Sequence, residues 1–200
     1  KARSEDLQQI WANILAGEVK EPETSSLRTF SFISHLTKEE ASLVQKLLPL
    51  ITGKQIFQSG HKNSNYGLSE IIGVDELLEL KSMGLIAELT GDLAVTVRIE
   101  AKKHAIINFN NFGLCLTNKG DKQVSFELLT LGVTVIGQNL KTALNDPGVN
   151  INYMLNLRDF LRKESPDKIE VELCRTSPWD GKQKFNLLSD EEFIEAAQNA

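Results

Sequence analysis

Cysteine, histidine and uninterrupted apolar runs are all scarce in this chain, and each scarcity removes a class of protein. Two cysteines, Cys115 and Cys174, cannot form the disulfide framework that staples small secreted domains. Both stand in apolar, strand-like runs without the basic or histidine surroundings that activate a thiol, so both are read as small buried hydrophobes in a reducing, cytoplasmic setting. The three histidines, His35, His61 and His104, have no Cys or carboxylate at metal-ligand spacing. No zinc site and no base-plus-nucleophile pair can be assembled from them. Gly132 and Gly137 sit in an apolar stretch and are not followed by Lys-Ser or Lys-Thr, so there is no phosphate-binding loop. No cofactor and no catalytic residue is expected. The longest apolar stretches are broken by Gly, Lys or Glu every few residues, far short of the ~20 needed to cross a bilayer. No signal peptide is read in these residues, and an opening on Lys1 leaves open what precedes it.

What is present is ordinary globular material. The chain has 200 residues, 41% of them hydrophobic and 24% charged, enough for one large domain or two small ones with a substantial core. A net charge of −5 and a pI near 5.3 disfavour a broad electrostatic grip on nucleic acid or anionic lipid.

Periodicity then divides the chain. Leu7, Ile10, Trp11, Ile14 and Leu15 form one apolar helical stripe behind the Ser4 N-cap. A second helix is expected from Ser25 or Ser26 to about His35, and a third behind the capping box Thr37 to Glu40, giving a three-helix unit over residues 1–52. A loop with a short strand at Gln55 to Gln58 precedes a helix from about Asp75 to Met83 that Gly84 ends. Alternation at Val95, Val97 and Ile99, then strands at Ala105 to Phe109, Leu114 to Thr117 and Val124 to Leu129, predict an antiparallel meander. Residues 53–147 therefore read as a winged-helix-like α+β region. The stretch Leu131 to Leu144 satisfies both strand and helix patterns and is assigned to helix, capped by Thr130. Asn145 to Gly148 marks a boundary before a small C-terminal α/β element, residues 148–200, closed by a second capping box at Ser189 to Glu192.

Three surface features compete for function. Glu170 and Glu172 share one face of a strand opposite Ile169, Val171 and Leu173; a carboxylate pair is conceivable there, but an alternating strand needs a polar face in any case. Trp11 reads as core, whereas Trp179, in the turn Pro178-Trp-Asp-Gly181, reads as exposed or packed against its own hairpin, and an exposed turn Trp is a candidate anchor for a protein partner. Arg98, Lys102 and Lys103 form a small basic cluster, the one local argument for nucleic acid. The helix that would enter a groove offers Asp75, Glu76, Glu79 and a single Lys81, which repels phosphate.

The segments Leu7-Gln-Gln-Ile-Trp-Ala-Asn-Ile-Leu-Ala-Gly-Glu18, Ser26-Leu-Arg-Thr-Phe30 and Leu36-Thr-Lys-Glu-Glu-Ala41 together resemble a bacterial family of uncharacterised proteins. More loosely they are similar to the abortive-infection alpha group associated with phage exclusion. Leu77 to Ile86 resembles the helix followed by Gly-Leu-Ile of that pattern, while Leu129-Thr130 matches a further element except that Gly132 falls one place early. The resemblance implies a bacterial cytoplasmic protein, linked to phage defence, with no catalytic residues to carry over. The expected function is a non-enzymatic interaction or regulatory protein with a protein partner or a second copy of itself. The alternative is a nucleic-acid-associated winged-helix-like protein using Arg98, Lys102 and Lys103.

Overall fold

The computed structural model describes Ala12 and residues 27–58, 68, 70–87, 93–143, 148–164, 167–176 and 185–199. Of the expected first helix only Ala12 is described, and it is helical. Trp11, His61, the segment 144–147 and the turn holding Trp179 lie outside the described residues.

The chain is a mixed α+β protein with, among the described residues, six helices and two antiparallel sheets. Helix α1 spans Leu27–His35 and α2 spans Lys38–Leu47, continued by a 3-10 turn at Leu48–Leu50; strand β1 is Gln55–Phe57 and α3 is Val74–Ser82. Strands β2 (Leu93–Ile99), β3 (His104–Phe109), β4 (Phe112–Asn118) and β5 (Val124–Gly132) follow, then α4 (Val135–Ala143) and α5 (Ile151–Glu164). Strands β6 (Ile169–Thr176) and β7 (Phe185–Leu188) and helix α6 (Asp190–Gln198) complete the order.

Both capping boxes form. Thr37 Oγ1 accepts from the Glu40 N–H while the Glu40 carboxylate accepts from the Thr37 N–H, and Ser189 and Glu192 repeat the exchange, satisfying N–H groups that a helix start leaves unpaired. Gly84 ends α3 with φ +76°, a conformation glycine reaches without steric cost. The start of α3 is tied to α2 by Glu76, which accepts from Lys46 Nζ at 2.7 Å and from the Gly73 N–H at 2.7 Å.

The strands do not form the expected meander. The first sheet has the order β1-β5-β2 and the second β3-β4-β6-β7. After β2 the chain turns at residues 100–103 into the β3–β4 hairpin, which leaves the first sheet, and β5 then returns to pair with β2 along its whole length, Leu93 with Thr130 to Ile99 with Val124. The physical reason is β4. All but one of its residues are buried, so it needs a partner on both edges, and β6 supplies the second one from Phe112–Arg175 to Asn118–Ile169. This pairing joins residues on both sides of the Asn145–Gly148 segment in one sheet. The helix expected from Leu131 also starts later. Strand β5 runs on to Gly132 because it pairs with β1 at Gln55–Gly132, and Thr134, not Thr130, caps α4 by accepting from the Gly137 N–H.

The core is continuous. One face of the second sheet, carrying Phe109, Phe112, Leu114, Leu116, Val171 and Leu173, is buried, with Tyr153 of α5 edge-on to Phe109 and Phe193 of α6 edge-on to Phe112. The opposite face holds Cys115 and Cys174, diagonal neighbours across β4 and β6. His104 and Phe185, at diagonally opposite corners of this sheet, nevertheless meet at 4.7 Å. The sheet is therefore coiled, as strand twist favours, and its concave side shelters both thiols. Both are free and buried, as the sequence suggests, and burial pushes Cys174 up to about 12. Among the helices, α1 packs against α4 and α2 against α3.

Candidate functional site

A cleft of about 1040 Å³ opens where β2 and β3 diverge. Its lining residues show how each strand meets it. From β2 come Val95 and Val97, alternate residues, so β2 presents a side-chain face. Gln55 and Phe57 of β1 belong to that same face by register, and the four make the floor. From β3 come Ala105, Ile106, Ile107 and Asn108 in succession. Side chains alternate along a strand, so four consecutive lining residues mean that the backbone edge of β3 faces the cleft. That edge has no strand partner among the described residues: β3 pairs with β4 alone. Alternate N–H and C=O groups of such a strand point away from its single partner. Thr52 to Lys54 and the α4 residues Gln138, Lys141 and Thr142 form the opposite wall.

Each wall is held in place by hydrogen bonds, some local and some between distant segments. Lys141 Nζ donates to the Ile51 carbonyl, joining α4 to the turn before β1. Gln138 Nε2 donates to the Val133 carbonyl at 2.9 Å. Beneath the floor the buried Tyr153 hydroxyl donates to the Phe57 carbonyl at 2.7 Å, and burial holds that phenol far above its ordinary range. Asn108 Oδ1 accepts from Thr176 Oγ1 at 3.0 Å, steadying β3 from the far side.

The apex, where β2 and β3 part, is organised by Asn118, which is fully buried. Its Nδ2 lies 3.1 Å from the carbonyls of Ile99 and Glu100 and 2.9 Å from that of Lys122, and its Oδ1 accepts from the Gly120 N–H at 2.8 Å. The Asn118 N–H also donates to the Lys103 carbonyl at 2.9 Å. One side chain thus fixes both turns at the apex. Among the described residues, the charged ones lining the cleft are Lys54 and Lys141, and no carboxylate lines it, in a chain of net charge −5.

The residues singled out from sequence fall elsewhere. Arg98 lies on the other face of β2, exposed and opposite Ser125. Lys102 and Lys103 are exposed in the apex turn; Lys102, at φ 57°, donates to the Lys119 carbonyl at 2.7 Å and pairs with Asp121 at 3.1 Å. Trp179 lies outside the described residues. Glu170 is exposed and paired with Lys119 at 2.9 Å, which fits a solvated strand face. Among the described residues no group of three or more His, Cys, Asp and Glu side chains is arranged to hold a metal ion. No helix there is long and apolar enough to cross a membrane. Sequence reasoning missed the cleft because its lining is drawn from four separated stretches, and a strand's edge status is a property of pairing, not of composition. The tight-turn signal Asn118 to Asp121 was visible, but not the reach of Asn118 across to β2.

Residues 1–59 match the model of a family described as a protein of unknown function, DUF2806. No curated protein and no solved structure matches the chain.

Proposed function

We propose that this chain is a non-catalytic interaction or regulatory module and that the cleft between β2 and β3 is where a protein partner binds. The observation that carries this reading is the backbone edge of β3, which has no strand partner among the described residues, beside an apolar floor, because an edge strand is a template for another chain. The winged-helix-like reading draws support from the strand order β1-β5-β2 with α2 and α3 before and after β1. The β3–β4 hairpin then occupies the place of the wing. The exposed side of α3 carries Val74 and Leu78, 61% and 52% exposed, beside Asp75 and Glu79. Such a surface suits a protein better than a phosphate backbone. Trp179 is a further proposed anchor, and the resemblance to phage-exclusion proteins makes phage defence the proposed setting.

The test is native purification of the full chain with co-purifying proteins identified by mass spectrometry. A stoichiometric partner lost on Val95→Glu and retained on Arg98→Glu supports the reading, and a partner insensitive to Val95→Glu removes the cleft from it. A reproducible enzymatic turnover abolished by a cleft substitution overturns the module reading altogether. Phage plaque counts on a bacterium expressing the full chain test the setting, and counts equal to those of the empty host refute it.

A second reading, nucleic-acid association, rests on the common exposure of Arg98, Lys102 and Lys103 near the apex. Replacing all three by Glu abolishes salt-sensitive binding of duplex or single-stranded probes if it holds; unchanged binding removes it.

A further inference from the structure

We infer that the β3 edge takes an acidic, extended peptide as an added strand, an inference that rests on the interaction reading above and specifies its partner. Three observations fix the chemistry. Ala105 to Asn108 line the cleft in unbroken succession, a length of roughly 10–13 Å at ~3.3 Å per residue, which matches about four residues of extended chain and supplies them with backbone donors and acceptors. The floor under that edge is aliphatic, Val95 and Val97, so alternate side chains of the incoming strand meet apolar surface while the others face outward. Among the described residues the charges in the cleft lining, Lys54 and Lys141, are both positive, and the exposed Lys54 stands on the wall opposite β3, where a carboxylate of the added strand meets it.

A single-stranded nucleic acid shares the attraction to lysine but needs aromatic platforms on which to stack. Among the described lining residues the one aromatic ring is Phe57, which is 3% exposed. The edge pairs with amides, and the floor rewards branched aliphatic side chains, so a peptide fits where an oligonucleotide does not.

The experiment selects binders from a display library of random linear peptides on the immobilised full chain, then measures the selected peptides by fluorescence anisotropy. The selected sequences should alternate apolar with polar residues and be enriched in Asp and Glu. Lys54→Glu, at an exposed position, should weaken them several-fold, Val95→Glu about tenfold, the equivalent of ~1.4 kcal/mol, and Arg98→Glu not at all. N-methylation along the peptide should destroy binding at every second residue only, since strand pairing uses alternate amides on one side. Amides within 105–108 should gain hydrogen-exchange protection. Peptides that bind but tolerate N-methylation everywhere, or that protect only α3, overturn strand addition and leave the interaction reading standing. A basic consensus, or displacement of the peptide by an oligonucleotide, overturns the charge assignment. Failure to select any peptide, together with no partner in the native purification, brings down both.

Discussion

Replacing Asn118 by Ala should cost the fold about 3 kcal/mol, and the estimate can be built from its bonds. The side-chain amide has two N–H groups facing three carbonyls, those of Ile99, Glu100 and Lys122, so two of these bonds are made fully and the third is shared. Its oxygen adds a further bond from the Gly120 N–H. Three full bonds at about 1 kcal/mol each give ~3 kcal/mol. Burial of the residue, 0% exposed, pushes the cost up, because groups left unpaired away from water lose more than a net bond. Water entering the vacated turn pushes it down, since both turns lie at the surface, and the two corrections oppose each other. In a urea titration followed by far-ultraviolet circular dichroism, ~3 kcal/mol at a slope of about 2 kcal/mol/M moves the midpoint by ~1.5 M. Asn118→Asp is the discriminating control. It keeps the acceptor for Gly120 but turns a carboxylate toward the three carbonyls, so it should destabilise at least as much at neutral pH and recover partly as acid protonates it. A midpoint shift below about 0.5 M for Asn118→Ala, or Asp tolerated at neutral pH, would refute the assignment of Asn118 as the organiser of the apex.

Tyr153→Phe leaves the Phe57 carbonyl without its donor while the ring keeps its edge-to-face contact with Phe109; a loss of about 1–3 kcal/mol is expected, and a neutral result in the same titration contradicts the bond. Gly137→Ala places a Cβ 2.9 Å from the Leu85 carbonyl oxygen and 2.7 Å from Val133 Cγ1, so a thermal melt should show destabilisation of about 1–3 kcal/mol despite the better helix propensity of Ala. Cys174, raised from 9.0 to about 12, stays protonated in the folded chain while the unfolded chain ionises. The stability this carries is complete below pH 9 and is lost as pH rises toward 12, at up to ~1.4 kcal/mol per pH unit, and Cys174→Ala should flatten that alkaline limb. Thiol reagents at pH 8 should accordingly label both cysteines only after unfolding. The carboxyl of Glu76 is held below the ordinary 4.5, first by Lys46 and then by the Gly73 N–H, so its contribution is present above pH 4.5 and lost as pH falls through the folded value. The stability gap between the native chain and Glu76→Gln should close on acidification and stay under ~1 kcal/mol throughout, because both partners are more than a third exposed.

What the sequence made legible was whatever is decided within a few residues. The boxes at Thr37 and Ser189 form because donor and acceptor lie three positions apart, and Gly84 ends its helix by a local backbone preference. The alternation of β6, with Ile169, Val171 and Leu173 buried and Glu170 exposed, was visible for the same reason. The expected meander failed at a decision made between distant segments. Nothing in Ala105 to Phe109 distinguishes a strand that pairs back onto β2 from one that swings away with β4, because the deciding partner, β6, lies more than fifty residues further on. The misplaced start of α4 has the same origin, since Thr130 could cap a helix, but its register with Phe57 and Leu93 commits it to a strand. The candidate site is a consequence of those same decisions. Because β4 recruits β6, the hairpin is drawn out of the first sheet; because β5 closes on β2, the first sheet is completed without it. The edge of β3 is what the two pairings leave over, and it lies beside a floor of valines whose alternation was plain in the sequence while what they faced was not. A residue that joins the two sheets could be read as β-forming from sequence, but the opening between the sheets could be found only by knowing which strands had already been taken.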